Sequence, residues 1–210
     1  MIRDISILVH PGTPEWPGDV PFTCGWSARI AQGAAINLSH TSGSPHVGTH
    51  ADSPLHVRDD WPASDQLPLH PVLGPVVVLD LSRSADGPLA LDADDPRLLG
   101  CERVLLRTDR TIADGTFPRA WPVLSSTTAR KLAVAGVTLV GVDAPSVDDR
   151  DSKTLDVHQA LFSGGAYVLE NLDLRGVAEG RYDLIALPQR LGGLDAAPVR
   201  AVLLDAGQLV

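Results

Sequence analysis

Apolar and polar residues alternate along much of this chain, a spacing typical of β-strands. From Phe22 to Ile30 every second residue is apolar, which predicts a strand with one buried face. Eight further segments have the composition of strands, and several are apolar enough to be buried on both faces: residues 5–9, 36–40, 75–81, 103–108, 137–143, 166–172, 183–188 and 199–205. The pattern therefore predicts a protein rich in β-sheet.

Helical patterns are fewer. One helix is predicted to start at the capping residue Ser125 or Ser126 and to stop at Gly136, where the next predicted strand begins. A shorter helix is predicted from Asp156 to Phe162, with Asp156 as its N-cap. These features favour a single domain over residues 1–210, of the α/β class, with a mixed β-sheet and few helices.

Charge and composition exclude several functions. The net charge is −9 and there is no block of lysines or arginines, so nucleic acid is not an expected partner. The N-terminal apolar run is short and ends before Pro11, which predicts neither a signal peptide nor a membrane span and favours a cytoplasmic protein. Cys24 and Cys101 show no metal or redox spacing and are expected to be small buried core residues.

Candidate chemistry is concentrated in residues 45–56, PHVGTHADSPLH, which hold three of the seven histidines. His46, His50 and Asp52 are ligand types that bind zinc and similar divalent ions. Gly48 permits the sharp turn that would bring them together. Three ligands leave a coordination site incomplete, and the carboxylate of Asp52 can bridge two ions.

Further ligands must come from elsewhere in the chain. His158 and Glu170 are the candidates, because His158 is the one histidine beyond residue 70 and Glu170 interrupts an apolar strand. A buried charge in such a strand is unfavourable unless it is paired or metal-bound. For His158, an ordinary position at a capped helix N-terminus explains the sequence equally well.

The segment HVGTHADSPLH resembles the signature of the metal-dependent cyclase-like hydrolase family. Residues 13–22, 73–81, 143–161, 168–172 and 183–204 extend the resemblance to the bacterial kynurenine formamidases within that family. The resemblance implies a swivelling β/β/α-type fold and a homodimer that hydrolyses N-formyl-L-kynurenine to L-kynurenine and formate. It further implies two zinc ions per subunit, with manganese or another divalent ion as an alternative, and these site residues: His46, His50, Asp52, His158 and Glu170 as ligands, His56 as the catalytic acid/base, and Trp16 in the substrate pocket.

Two alternatives stay open at this point. Thr49 and Ser53 stand where that branch often has alanine, which favours a related hydrolase acting on another cyclic or acyl amide such as isatin. A metal- or ligand-binding module without turnover is the second alternative. His56 argues against it, because simple binding needs no proton relay beside the ligands.

Overall fold

The computed structural model describes residues 1–89, 91–92 and 94–209. A nine-stranded mixed sheet dominates it, with strands in the order β1-β13-β11-β5-β7-β9-β10-β4-β12. The neighbours from β5 to β10 in this order run parallel, and the flanking pairs are antiparallel. The strands are β1 (Ile2–Asp4), β2 (Thr23–Ala28), β3 (Leu38–Ser42), β4 (His50–Asp52), β5 (Leu73–Asp80), β6 (Gly87–Pro88), β7 (Arg103–Arg107), β8 (Pro122–Val123), β9 (Leu139–Val142), β10 (Tyr167–Glu170), β11 (Gly180–Ile185), β12 (Ala196–Pro198) and β13 (Val202–Asp205).

The predicted mixed sheet with few helices is confirmed. Two α-helices are present in the described ranges, α1 (Ser126–Val134) and α2 (Asp156–Ser163). Six single turns of 3₁₀-helix complete the regular structure: Ile30–Gln32, Pro54–His56, Ser64–Gln66, His70–Val72, Pro96–Leu98 and Ile112–Asp114. None of the described helices combines the length and the apolar character that crossing a membrane requires.

The sheet is buried on both faces, as the continuous apolar runs predict. In β5, Val77 and Leu79 pack with residues of both helices in one core cluster. Val76 and Val78 point to the opposite face and belong to a second cluster. The central strands are thereby held rigidly between two cores, and they support the strand ends from which the site side chains project.

Two strand predictions start three residues too late in the chain. The strand expected at residues 5–9 lies at Ile2–Asp4, because the amide of Ile5 donates to a loop carbonyl and that of Ile7 to the Thr49 hydroxyl. The strand expected at 183–188 begins at Gly180, since its pairing with β5 extends from Gly180 to Ile185. The positions of both strands are set by their hydrogen-bonding partners in the sheet, and local composition does not encode those partners.

The predicted buried face of the segment 22–30 is wrong. Strands β2 and β3 form a separate two-stranded sheet, and Trp26 remains 54% exposed. The expected burial of the cysteines is wrong as well, because Cys24 is exposed on this hairpin and Cys101 is half-buried. Cys101 packs against the edge of the first core cluster, while its sulfur lies 3.0 Å from the guanidinium of Arg181 on the polar side.

Candidate metal centre

Strand β4 carries two of the predicted ligands. His50 and Asp52 lie on it, and both side chains are buried. The antiparallel register with β10 sets Glu170 opposite His50, although 120 positions separate them in the numbering. Pairing between strands therefore brings Glu170 to the histidine motif.

Gly48 turns the chain so that His46 reaches His50. Its φ is +76°, and a Cβ at this position would lie 2.3 Å from Cγ2 of Val9, so no other residue fits without displacement. The Nδ1 atom of His46 then lies 3.1 Å from Nε2 of His50. The two imidazoles meet through a loop and a strand, not through consecutive turns of a helix.

His158 comes from the first turn of α2, as predicted. Asp156 is not the N-cap of this helix but its first residue, and Leu155 precedes it in the left-handed conformation. Asp148 performs the capping, because its carboxylate accepts hydrogen bonds from the amides of Val157 (2.9 Å) and His158 (3.0 Å). It also accepts from Nδ1 of His158 at 2.7 Å. One carboxylate therefore fixes both the start of the helix and the orientation of the imidazole.

The five predicted ligands converge on the fully buried carboxylate of Asp52. Its Oδ1 lies 3.1 Å from Nδ1 of His46 and 3.2 Å from Nε2 of His50. Its Oδ2 lies 3.1 Å from Nε2 of His158, and that nitrogen lies 3.3 Å from Oε1 of Glu170. Each oxygen of Asp52 thus faces a different group of potential ligands, an arrangement that could hold two ions with a shared carboxylate.

The hydrogen bonds of the three histidines leave one ring nitrogen of each for the cluster. Nδ1 of His50 donates to the carbonyl of Gly48 (2.9 Å), and Nε2 of His46 donates to Asp195 (2.9 Å). The remaining nitrogens of both rings face Oδ1 of Asp52, which is buried and accepts no hydrogen bond. Two ring nitrogens and an orphaned oxygen around one point form a donor set that suits a divalent cation.

The negative charges of the cluster favour a positive charge among them. Burial lowers the pKa of His46, but the hydrogen bond to Asp195 and the negative charge of nearby Asp52 outweigh it and raise the value to about 10. Burial likewise opposes ionisation of His158, yet Asp148, Asp52 and neighbouring Glu170 hold its pKa well above the usual range. Several buried carboxylates therefore require either protons on these imidazoles or a bound cation.

His56 lies beside the cluster on the one-turn helix Pro54–His56. Its ring centre is 4.6 Å from that of His46 and 5.6 Å from that of His158. Nδ1 of His56 contacts Oδ2 of Asp195 at 3.3 Å, so Asp195 holds both His46 and His56. The sequence alone did not identify Asp195 or Asp148 as site residues. The short spacing between Asp148 and the predicted helix could have indicated Asp148, whereas the sequence gives no such signal for Asp195.

A cavity of about 440 Å³ opens onto the cluster. His46, His50, His56 and Glu170 line it together with Trp16, the residue predicted for the substrate pocket. Trp16 packs edge-on against Phe117, with ring centres 5.5 Å apart. An apolar wall beside a polar metal-type cluster is the usual composition of a small-molecule site.

Two strained residues also border this cavity. Leu155 and Asn171 line it, and both have positive φ, 49° and 54°, which is unusual for residues with a side chain. Asn171 is buried, and its Oδ1 has no hydrogen-bond partner. Backbone strain and unsatisfied polar atoms often occur at functional sites.

Thr49 and Ser53 support the motif from behind. The Thr49 hydroxyl donates to the carbonyl of Asn171 at 2.6 Å, and the Ser53 hydroxyl donates to the carbonyl of Asp195 at 2.9 Å. Both residues are buried, and neither is among the residues that line the cavity. Their departure from alanine therefore concerns packing of the loops and gives no support to a different substrate.

Comparison with known proteins gives consistent matches. The family model described as "Putative cyclase" matches residues 3–149. A kynurenine formamidase of Paracidovorax citrulli (strain AAC00-1) is 44% identical over 211 residues, covering 97% of this chain and 96% of the relative. A kynurenine formamidase of Salinibacter ruber (strain DSM 13855 / M31) is 44% identical over 205 residues, covering 97% of each.

Solved structures agree with the fold. A potential metal-dependent hydrolase with cyclase activity superposes with a TM-score of 0.80 at 29% identity, covering 97% of this chain and 96% of the other. An isatin hydrolase bound to the product analogue thioisatinate superposes with a TM-score of 0.79 at 21% identity, covering 96% and 91%. At that identity the second likeness concerns the fold alone.

Proposed function

This chain belongs to the cyclase family, and from that membership we propose that it catalyses the metal-dependent hydrolysis of N-formyl-L-kynurenine to L-kynurenine and formate. The observation that carries the proposal is the convergence of the imidazoles and carboxylates on Asp52 at the base of a cavity. The identity of 44% to kynurenine formamidases over nearly the whole chain supports the substrate.

In this proposal Asp52 would be a ligand common to two cations. His46 and His50 would hold one cation with it, and His158 and Glu170 would hold the other. Zinc is the proposed ion, because imidazole and carboxylate ligands suit it. Manganese accepts the same ligands, so availability decides between the two.

When bound, the cations supply a nucleophile at neutral pH by lowering the pKa of water towards 7. Hydrolysis then forms a carbon–oxygen bond at the formyl carbon and breaks the carbon–nitrogen bond of the formamide. The departing arylamine nitrogen requires a proton, and His56 is positioned on the cavity to deliver it. Asp195 accepts from Nδ1 of His56, which leaves Nε2 as the atom that exchanges the proton.

The aromatic wall has a binding role in the proposal. Trp16 and Phe117 line the same cavity as the metal-type cluster, and Trp121 stacks edge-on behind Trp16 at 5.9 Å. Aromatic rings held in edge-to-face contact offer a rigid apolar surface. The benzene ring of the substrate would pack against this surface and present its formamide to the cations.

A homodimer is part of the proposal. The hairpin of β2 and β3 exposes apolar side chains, with Trp26, Ile36 and Leu38 each at least half exposed. A two-stranded sheet without a core is marginally stable alone, and exposed apolar patches mark association surfaces. A second copy of this chain is the partner that would cover the hairpin.

Three expectations from the sequence remain predictions. They are the swivelling β/β/α type of the fold, the organisation of residues 1–210 as one domain, and the cytoplasmic location. The mixed sheet and the placement of the site depend on none of the three.

The substrate proposal is tested with a panel of two amides. The zinc-loaded protein is assayed with N-formyl-L-kynurenine and with isatin under the same conditions. We expect the formamide to be preferred by about 100-fold or more in kcat/KM, because selectivity between related substrates reaches this size when polar groups are matched. Preference for isatin would establish the ring-opening alternative. Absence of turnover with either substrate would favour the alternative of a binding module without catalysis.

A further inference from the structure

Three charged side chains line the cavity without belonging to the metal-type cluster. They are Asp19, Arg150 and Lys153. The cluster therefore occupies one part of the cavity wall, while carboxylate and cationic groups occupy another. The proposed hydrolysis at the formyl carbon uses none of these three side chains.

Arg150 is held in place by an aromatic ring. It is half-buried, and its guanidinium carbon lies 5.7 Å from the ring centre of Phe117. Within the described chain no carboxylate lies within 4.0 Å of this guanidinium, although Asp149 and Asp151 are its neighbours in sequence; Asp149 accepts from the amide of Asp151 instead. A positioned guanidinium without an acidic partner is suited to a carboxylate ligand.

Asp19 is held by a backbone hydrogen bond to Trp16, the aromatic neighbour of Phe117. Its amide donates to the carbonyl of Trp16 at 2.9 Å, and Trp16 contacts Phe117 edge-on. The carboxylate of Asp19 is half-buried and accepts from the amide of Val20 at 2.7 Å. Among residues whose positions are described, no cation lies within 4.0 Å of it, so its charge is available to a ligand.

We infer that Arg150 and Asp19 recognise the two charges of an α-amino acid. Arg150 binds the α-carboxylate and Asp19 binds the α-ammonium, while the formamide end of the same molecule reaches the cluster around Asp52. The inference rests on the proposed function and adds the residues that determine its specificity. Lys153 is exposed and contributes a longer-range attraction that salt screens.

This arrangement selects for a zwitterion. A substrate that lacks the amino-acid end leaves Arg150 and Asp19 without partners and gains nothing from either charge. Isatin has no α-carboxylate and no α-ammonium, so the same two residues favour N-formyl-L-kynurenine over a ring substrate. Specificity for the amino-acid substrate then comes from Arg150 and Asp19 in the cavity wall. The metal-type cluster would serve hydrolysis of either substrate, N-formyl-L-kynurenine or isatin.

The test compares two formamides on matched variants. One is N-formyl-L-kynurenine, and the other is 2'-formamidoacetophenone, which keeps the aryl formamide and lacks the amino acid. Arg150→Gln should raise KM for the first about 10- to 100-fold, the loss expected for a charge-assisted hydrogen bond, and change the second by less than about 3-fold. Asp19→Asn should raise KM for the first about 3- to 10-fold.

Two control variants make the comparison specific. Arg130→Gln removes an exposed guanidinium on α1 and should leave both substrates unchanged. Lys153→Gln should produce a small effect that disappears at high salt. Equal losses on both substrates for Arg150→Gln, or no loss on either, would overturn the inference.

A binding measurement separates this inference from the proposed function. Titration calorimetry compares L-kynurenine with 2'-aminoacetophenone, which lacks the amino-acid end. The wild-type protein should bind L-kynurenine more tightly, and Arg150→Gln should reduce that preference about 10-fold or more, leaving the part that Asp19 contributes. If neither formamide is hydrolysed, the proposed function fails, but this titration still tests the recognition pair. A preference reduced in Arg150→Gln supports the pair, and equal binding of the two amines by the wild-type protein overturns it.

Discussion

At the scale of single residues, each cluster histidine offers one ring nitrogen because the other is already engaged. The carbonyl of Gly48 and the carboxylates of Asp195 and Asp148 take the three N–H groups. Histidine density in residues 45–56 and a glutamate within an apolar strand are local signals that make candidates of these residues, and the family resemblance implies the set of five. It could not predict Asp195, which meets His46 across 149 positions of the numbering.

The role of His56 is tested by removing its imidazole. His56→Ala should keep its metal and lose turnover of N-formyl-L-kynurenine by about 100- to 10,000-fold, the usual contribution of a general acid/base. Metal is expected to remain because His56 contacts the cluster through Asp195 and ring packing alone. The exposed His70 provides the control variant His70→Ala. Wild-type turnover in His56→Ala would remove this residue from the mechanism.

At the scale of secondary-structure elements, the central strands and both helices follow the sequence pattern closely. Strand β9 lies inside the predicted segment 137–143, and Ser125 caps α1 with its hydroxyl. The cap of α2 could not be predicted in this way. Asp148 reaches its amides from a loop, whereas local rules assign capping to the residue next to the helix.

The double role of Asp148 predicts a double effect on substitution. Asp148→Ala should lower the free energy of unfolding by about 1–2 kcal/mol through loss of the cap. It should also weaken zinc binding about 10- to 100-fold through loss of the support to His158. The matched variant Ser125→Ala removes the cap of α1 and should affect stability alone. Unchanged zinc affinity in Asp148→Ala would contradict the second role.

Asp143, at the end of β9, should make stability depend on pH. Its carboxylate accepts from the amide and hydroxyl of Thr108 and the amide of Asp109, yet burial outweighs these bonds and raises its pKa to about 6. The folded state therefore binds a proton more readily than the unfolded state, whose value is about 3.9. This contribution is fully present below about pH 4 and is lost as pH rises through 6, a change of about 3 kcal/mol.

The variant Asp143→Asn removes this titration. Denaturant unfolding of both proteins, freed of metal, is measured between pH 4 and pH 7. The variant should gain stability relative to the wild type as the pH rises, whatever the constant offset between them. Parallel stability curves would show that Asp143 does not titrate in this range.

At the scale of the whole molecule, the hairpin of β2 and β3 is where the sequence pattern is most misleading. Alternation from Phe22 to Ile30 is real, but neither face packs against a core cluster of the described residues. An alternating pattern predicts that one face is covered, without saying by which chain, and in the proposed homodimer a second copy would cover it. The mispredicted burial of Cys24 has the same origin.

A charge placed on the hairpin should therefore separate the proposed dimer. Leu38→Lys is expected to sediment as a monomer, while the wild-type protein sediments as a dimer, because a lysine directed into an apolar interface loses hydration without a partner. Val134→Lys is the control, since Val134 is an exposed apolar residue on α1, outside the hairpin. A monomeric wild-type protein would contradict the assignment of this surface.

Metal content and activity measured together show whether the cluster around Asp52 holds the ions that hydrolysis needs. The protein is stripped with a chelator and reloaded with zinc, and elemental analysis per chain is followed beside turnover of N-formyl-L-kynurenine. We expect two zinc ions per chain, turnover that vanishes on stripping and returns in proportion to occupancy, and loss of both metal and turnover in Asp52→Ala. Full turnover by the metal-free protein would rule out metal-dependent hydrolysis, and full occupancy in Asp52→Ala would rule out Asp52 as the shared ligand.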